Sequence, residues 1–154
     1  MTTFVLLSEP QEFGPIEVWP LHAPQQRLTG MTWGLENLDI TEVFDPDPNL
    51  LHVTNGGTEP VFVPMGFLIG GLKQTRMVAE DLVIPAGVGM EIPVLCVEVG
   101  RFGATQGVWS AGRAPLSVLT AGAWQSEPSV RQGAVWESVR RQERRSGPRP
   151  THTL

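Results

Sequence analysis

The stretch Leu50-Leu51-His52-Val53-Thr54-Asn55-Gly56-Gly57-Thr58-Glu59-Pro60-Val61-Phe62-Val63 decides the fold class of this chain. Two runs rich in β-branched and apolar residues flank the Asn55-Gly56 step, and Asn-Gly favours the positive φ angles that a tight turn requires. The pattern predicts two strands, at 50–54 and 61–63, joined as a hairpin.

The same signals recur along the chain. Further strands are predicted at 16–21, 39–44, 72–78, 82–84 and 91–99. The 17 glycines and 14 prolines punctuate the sequence so often that many short strands are favoured over long helices. We therefore predict a mainly β fold, with an antiparallel β-sandwich-like core and a C-terminal α-helix packed on it.

The helix is predicted at 129–145. Ser129 and Gln132 have the spacing of a capping box, Val130, Trp136 and Val139 could share one apolar face, and Gly147 gives a stop signal. A second helix is allowed between 112 and 125 by the Ala, Leu and Val content. We expect one β-rich domain over 1–146 and a flexible tail at 147–154.

Composition limits the classes of protein that fit. The 154 residues are 41% hydrophobic and carry a net charge of −5, as expected for one soluble globular domain. Residues 1–139 hold 15 acidic and 6 basic residues, whereas 140–154 hold five arginines and one glutamate. An acidic body argues against nucleic-acid binding, although the basic end could contact an acidic partner or RNA instead of being a solvated helix end.

Location and partners follow from what the sequence lacks. No secretory signal and no run of twenty apolar residues is evident, and the only cysteine excludes an intrachain disulfide. We expect a cytoplasmic protein without a membrane partner. A homo-oligomer remains open.

Two segments concentrate polar groups. Lys73, the only lysine, lies in the cluster Gly70-Gly71-Leu72-Lys73-Gln74-Thr75-Arg76, and Cys96-Val97-Glu98-Val99-Gly100-Arg101-Phe102 follows about twenty residues later. In a plain strand Glu98 shares a face with apolar residues, so it needs a partner or a place at the rim of the sheet. Arg76, on one face with Gln74, is the better candidate partner.

These residues support two interpretations. In the first, Lys73, Gln74, Arg76 and Arg101 form a pocket for an anion such as phosphate or carboxylate, and Glu98 is an acid/base or orienting group. In the second, Arg76 and Glu98 are a structural pair inside the sandwich.

Other candidate chemistry is weaker. Cys96 could be a nucleophile, but no histidine is near it in sequence, and a small buried hydrophobe is its commoner role. His22, His52 and His152 lack metal-ligand spacing, and the glycines at 66–71 do not match a P-loop or a dinucleotide fingerprint. We therefore expect neither a metal nor a cofactor.

At these segments the chain resembles the ARG and rhodanese-phosphatase-superfamily-associated proteins, where ARG stands for ADP-ribosylglycohydrolase. The resemblance rests on three segments in order, from about Gly14 to Arg141. They are Gly66-Phe67-Leu68-Ile69-Gly70-Gly71-Leu72-Lys73-Gln74-Thr75-Arg76, Ile92-Pro93-Val94-Leu95-Cys96-Val97-Glu98-Val99-Gly100-Arg101-Phe102 and Gln132-Gly133-Ala134-Val135-Trp136. The middle segment is the specific one.

The resemblance implies a role with ADP-ribose or a related nucleotide metabolite, because the family is named for its association with such enzymes. This chain departs from the pattern at three places. Met65-Gly66-Phe67 stands where Asp-Gly-Glu is usual, Thr75 replaces Asn, and Phe102 replaces Trp. The lost carboxylates weigh against carboxylate-dependent or metal-dependent chemistry.

The leading hypothesis is thus a domain that binds or processes an anionic, phosphorylated or nucleotide-like small molecule. The alternative is a non-enzymatic protein-interaction module in which the motif residues are structural. A third hypothesis is a hydrolase that acts through Glu98.

Overall fold

The computed structural model of the chain describes residues 6–7, 9–22, 30–45, 47–98, 108–123 and 127–146. Its strands are β1 (Leu6–Leu7), β2 (Gln11–Phe13), β3 (Ile16–Val18), β4 (Leu21–His22), β5 (Thr32–Trp33), β6 (Leu38–Glu42), β7 (Leu50–Asn55), β8 (Val61–Val63), β9 (Phe67–Gly71), β10 (Arg76–Val78), β11 (Leu82–Ile84), β12 (Gly89–Cys96) and β13 (Val108–Arg113). Its helices are α1 (Leu116–Ala123) and α2 (Pro128–Ser146).

Two sheets form the body of the fold. A six-stranded antiparallel sheet has the order β13-β9-β10-β12-β7-β6 and curls into a half-barrel. A three-stranded sheet has the order β11-β8-β5, in which β5 runs parallel to β8. Two further pairs, β1-β4 and β2-β3, stand apart from these sheets. The prediction of a mainly β, antiparallel fold with a packed C-terminal helix is confirmed.

The six-stranded sheet is the middle layer, because its side chains alternate between two cores. On β12, Ile92 and Val94 belong to a cluster with the three-stranded sheet, whereas Leu95 and the following Val97 belong to a cluster with the helices. We call the first cluster the inner core; it comprises Leu35, Ile40, Leu51, Val53, Val61, Val63, Phe67, Ile69, Val78, Ile84, Ile92 and Val94. We call the second the helix-side core; it comprises Leu68, Met77, Ala79, Leu95, Val97, Ala114, Val118, Val135 and Val139.

The predicted hairpin at 50–63 is wrong, although both strands exist. β7 pairs with β6 and β12, whereas β8 pairs with β11 and β5, so the chain crosses from one sheet to the other at Asn55. The Asn55 amide fixes this corner: Nδ2 donates to Glu59 O at 2.9 Å and to Ile84 O at 3.1 Å, and Oδ1 accepts from Gly57 N at 2.9 Å. The contact with Ile84 is long-range, and a turn signal in the sequence does not contain it.

Both predicted helices are confirmed. Val135 and Val139 of α2 are buried in the helix-side core, while Val130 is 51% exposed and lies off the apolar face that the sequence predicts. Neither helix is long and apolar enough to cross a membrane, as far as the described residues extend. The predicted tail at 147–154 lies outside the described residues.

Candidate functional site

The sole lysine lies in a tight loop. The sequence predicts a strand over 72–78, but β9 ends at Gly71 and β10 begins only at Arg76, so Lys73 and Gln74 belong to the turn between two antiparallel neighbours. The turn needs left-handed backbone at two successive positions, Gly71 at φ 88° and Leu72 at φ 52°. Leu72 is the one non-glycine residue with positive φ in the described part, which costs about 1 kcal/mol or more. Packing of its side chain against the inner core offsets that cost.

Glu42, at the end of β6, is the carboxylate that organises this loop. Its Oε1 accepts a hydrogen bond from the Lys73 backbone amide at 2.9 Å. The same carboxylate faces the Arg76 guanidinium, with Nη1 3.4 Å from Oε1 and Nη2 3.5 Å from Oε2. Glu42 thus bridges the loop backbone and the arginine.

Arg76 is a buried cation on the inner face of the sheet. It is 1% exposed, and its position follows from register: it lies opposite Cys96 on β12 and two residues before the buried Val78. Its two contacts with Glu42 are longer than the 2.7–2.9 Å typical of a charge-assisted hydrogen bond. Its buried Nε–H has no hydrogen-bond partner among the residues that the structure describes. The guanidinium is therefore under-satisfied for a group so deeply buried.

Glu98 is equally buried, at 1% exposure, and Thr75 orients it. The Thr75 amide donates to Glu98 Oε2 at 2.9 Å, and the Thr75 hydroxyl donates to the same oxygen at 3.0 Å. Two donors on one oxygen fix the direction of the carboxylate and stabilise its charge.

Cys96 completes what we call the buried polar cluster: Glu42, Thr75, Arg76, Cys96 and Glu98. The Cys96 thiol donates to Glu98 O at 2.9 Å. Burial raises the pKa of the Cys96 thiol above its usual value, against smaller lowering effects from that hydrogen bond, the nearby Trp136 indole and the Arg76 charge. The indole N–H is close to the sulfur but makes no hydrogen bond of ordinary geometry. A protonated, buried thiol is a poor nucleophile, which agrees with a packing role.

Helix α2 is fastened to the strand that leads to Glu98. The Gln132 side chain accepts from Cys96 N at 2.8 Å and donates to Cys96 O at 2.7 Å, as a neighbouring strand would. β7 pairs with β12 only as far as Pro93, so Gln132 satisfies backbone groups beyond the end of that ladder. The predicted capping box is wrong: α2 begins at Pro128, and Gln132 is engaged with Cys96 instead.

Phe67 is held by packing contacts. The Phe67 ring lies in the inner core, makes an edge-to-face contact with Trp33 at 6.1 Å between centroids, and sits 5.7 Å below the Arg113 guanidinium. The position is therefore occupied by apolar and cation–π contacts.

The structure places the predicted site residues as follows. Arg76 and Glu98 both enter the buried polar cluster. Lys73 contributes its backbone amide to Glu42, and Gln74 is half-buried in the same loop. Arg101 lies outside the described residues. Within the described part, no group of three or more His, Cys, Asp and Glu side chains is arranged to hold a metal ion.

Sequence reasoning missed Glu42 and the role of Gln132. The sequence did contain a signal for Glu42, since strand alternation puts it on the same face as the buried Ile40. The strand predicted at 91–99 puts Glu98 on an apolar face in the same way. A charged residue on an apolar strand face requires a polar or charged partner, and both Glu42 and Glu98 are in this position.

A family model described as the ARG and Rhodanese-Phosphatase-superfamily-associated Protein domain matches residues 5–154. Among curated proteins and among solved structures, no match was found.

Proposed function

This chain belongs to the ARG and Rhodanese-Phosphatase-superfamily-associated Protein family, and we propose that it binds an anionic small molecule of the nucleotide or ADP-ribose class at the buried polar cluster. The family name suggests an association with ADP-ribosylglycohydrolase and rhodanese-phosphatase systems. The ligand class is inferred from this association and from the charges at the cluster.

One observation carries the proposal: the under-satisfied guanidinium of Arg76. A purely structural buried ion pair is stable only when its geometry is close and its remaining donors are bonded. Arg76 has long contacts to Glu42 and a spare buried Nε–H. An oxygen of a bound phosphate or carboxylate would supply the missing acceptor, in the planar geometry that arginine recognises.

The proposal needs a route to the cluster, and the side of the loop is the least buried part of it. Glu42 keeps 17% of its side chain exposed, and Lys73 and Gln74 are half-buried beside it. We propose that an anion approaches along this side and meets Lys73 and Gln74 before Arg76. Leu72, held at positive φ, fixes the loop in advance, which lowers the entropic cost of binding.

Charge balance is the reason for including Arg101 in the proposal. Arg76 and Lys73 offset Glu42 and Glu98, so these four groups together attract an anion no better than a neutral surface. We propose that Arg101, three residues after Glu98, makes the site cationic. Glu98, whose direction Thr75 fixes, would orient the ligand or transfer a proton.

Calorimetric titration with ADP-ribose, NAD and inorganic phosphate tests the proposal. We expect heat with at least one of them, and loss of that heat in Arg101→Ala with an unchanged melting temperature. Arg76→Lys keeps the charge but loses the planar fork, so binding should weaken. Absence of heat with all three compounds, or an Arg101→Ala variant that binds as well as the unaltered chain, would contradict the proposal.

Turnover is tested separately. If Glu98 transfers a proton, Glu98→Gln retains binding and abolishes release of product from the bound compound. If binding and product release are both unchanged in Glu98→Gln, the carboxylate has no catalytic part.

A second function, a protein-interaction module, is favoured by a different observation. The hairpin formed by β2 and β3 has exposed side chains throughout, including Phe13 and Ile16, each 61% exposed, and Trp19 follows at 50%. Clustered exposed apolar side chains of this kind often mark contact surfaces. If Arg76→Ala unfolds the chain and none of the three compounds binds, this interpretation is the better one.

A further inference from the structure

A second polar site lies on the other side of the six-stranded sheet, between α1 and α2. The two helices line an open cleft of about 400 Å³. Its polar lining is Ser117, Thr120, Ser138, Arg141, Gln142 and Arg145. Arg76 is on the inner face of the sheet, whereas these helices cover the opposite face, so the cleft is separate from the buried polar cluster.

Two arginines give the cleft its charge. Arg141 and Arg145 are four residues apart on α2, a spacing that puts both guanidinium groups on one side of a helix. Arg141 is 60% exposed, and its Nε is a distant 3.9 Å from Glu137 Oε1. Arg144 holds that same oxygen at 3.1 Å. In the described part of the chain Arg145 has no ion-pair partner, so the cleft keeps cations that local acids do not neutralise.

The hydroxyl groups divide into two kinds. Ser138 donates to Ser117 O at 3.0 Å and Thr120 donates to Leu116 O at 2.9 Å. These two hydroxyl groups form part of the cleft wall, and their protons are already engaged in hydrogen bonds. The Ser117 hydroxyl and the Gln142 amide have no described hydrogen bond and are available as donors beside the arginines. Ser117 is in the first turn of α1, where the helix dipole favours an anion.

We propose that the cleft between α1 and α2 binds a small molecule through a phosphate group. A volume of about 400 Å³ is within the range of small-molecule sites. Two guanidinium groups, an amide and a hydroxyl match a tetrahedral oxyanion, and arginine binds phosphate with two parallel hydrogen bonds. The C-terminal end of α2 disfavours an anion by less than two such charged contacts favour it.

The chain offers a matched control. Arg140 is on the same helix, is 49% exposed and loses the same charge on substitution, but it does not line the cleft. Titration with pyrophosphate, followed by ³¹P NMR or calorimetry at low salt, should show Arg145→Ala and Arg141→Ala binding about tenfold more weakly or worse, as expected for a lost hydrogen bond to a charged group. Arg140→Ala should change the affinity less than about twofold, because its charge is screened by solvent.

Three outcomes overturn the proposal. Absence of pyrophosphate binding removes the site, and equal weakening by Arg140→Ala and Arg145→Ala shows a diffuse attraction to the basic helix. A single-stranded RNA oligomer that binds more tightly than pyrophosphate and loses affinity equally with each arginine points to a nucleic-acid surface. Binding at this cleft is defined by the affinity for pyrophosphate that Arg145→Ala loses, and binding at the buried polar cluster by the heat that Arg101→Ala loses, so failure here is distinguishable from failure of the proposed function.

Discussion

Glu42→Ala tests whether a buried cation is held by the carboxylate that the structure assigns to it. The change leaves the Arg76 guanidinium, 1% exposed, without its counter-ion, and it removes the acceptor of the Lys73 amide. Breaking a buried ion pair from one side costs about 3–5 kcal/mol. Because Glu42 retains 17% exposure and its contacts with Arg76 are long, we expect the lower end, about 3 kcal/mol.

The loss is measured by urea denaturation and by thermal melting. For a chain of this length about 1 kcal/mol shifts the melting temperature by about 2–4 °C, so the expected fall is roughly 6–12 °C. Glu80→Ala is the matched control, since Glu80 is exposed and its removal should change the free energy of unfolding by less than about 0.5 kcal/mol.

A second substitution separates the effect of the unpaired Arg76 charge from the effect of removing the Glu42 side chain. In Glu42→Ala combined with Arg76→Met, the orphaned charge is gone, so the double variant should be more stable than Glu42→Ala alone. If Glu42→Ala costs no more than Glu80→Ala, or if adding Arg76→Met gives no recovery, then Glu42 is not what stabilises the buried guanidinium and the reasoning is refuted.

Three further predictions concern the surroundings of the site. Because burial raises the pKa of the Cys96 thiol, iodoacetamide should modify this thiol far more slowly in the folded chain than in urea, and equal alkylation rates would contradict this. The contribution of Cys96 to the free energy of unfolding should also fall as the pH rises past the ordinary thiol pKa of about 8.5, because the thiol of the unfolded chain ionises first. Gln132→Ala orphans both backbone groups of Cys96 and should cost about 2 kcal/mol in urea denaturation, whereas a cost below about 0.5 kcal/mol would show that water replaces the amide. Gly133→Ala should raise the melting temperature, since a Cβ there meets nothing within 4 Å and alanine favours helix by about 1 kcal/mol. Gly122→Ala should lower the melting temperature, because its Cβ would meet Met77 Cε at 3.0 Å and Leu95 Cδ1 at 3.1 Å. A change of the same sign in both variants would contradict this reasoning.

Local chemistry was sufficient to predict part of this fold, although β1, β5, β9 and β13 are not among the predicted strands. Alternation located β11 at 82–84 and most of β12, and the apolar content of 112–125 located α1. These signals depend on neighbours in sequence, which is why they are reliable. The sequence also tied Glu98 to an apolar strand face, and the structure shows it buried.

Long-range partners could not be predicted in the same way. The Asn55-Gly56 signal predicts a hairpin that does not form, because the chain crosses to a second sheet at Asn55, whose amide donates to Ile84 O, 29 residues away. Gln132 has the spacing of a helix cap, yet its amide pairs with Cys96, 36 residues away. In both cases one side chain can satisfy either a local or a distant backbone group, and only the packed fold selects between them.

This distinction also identifies where function should be sought. Gln132 fastens a helix to a strand edge and Thr75 directs Glu98, so stability alone accounts for both contacts. Arg76 is different, because its burial is costly and its described contacts leave a donor unused. When the free-energy cost of burying a residue exceeds the stabilisation from its contacts within the chain, a bound ligand can account for the burial. Arg76→Lys is therefore the substitution in which ligand binding should weaken more than the folded state is destabilised.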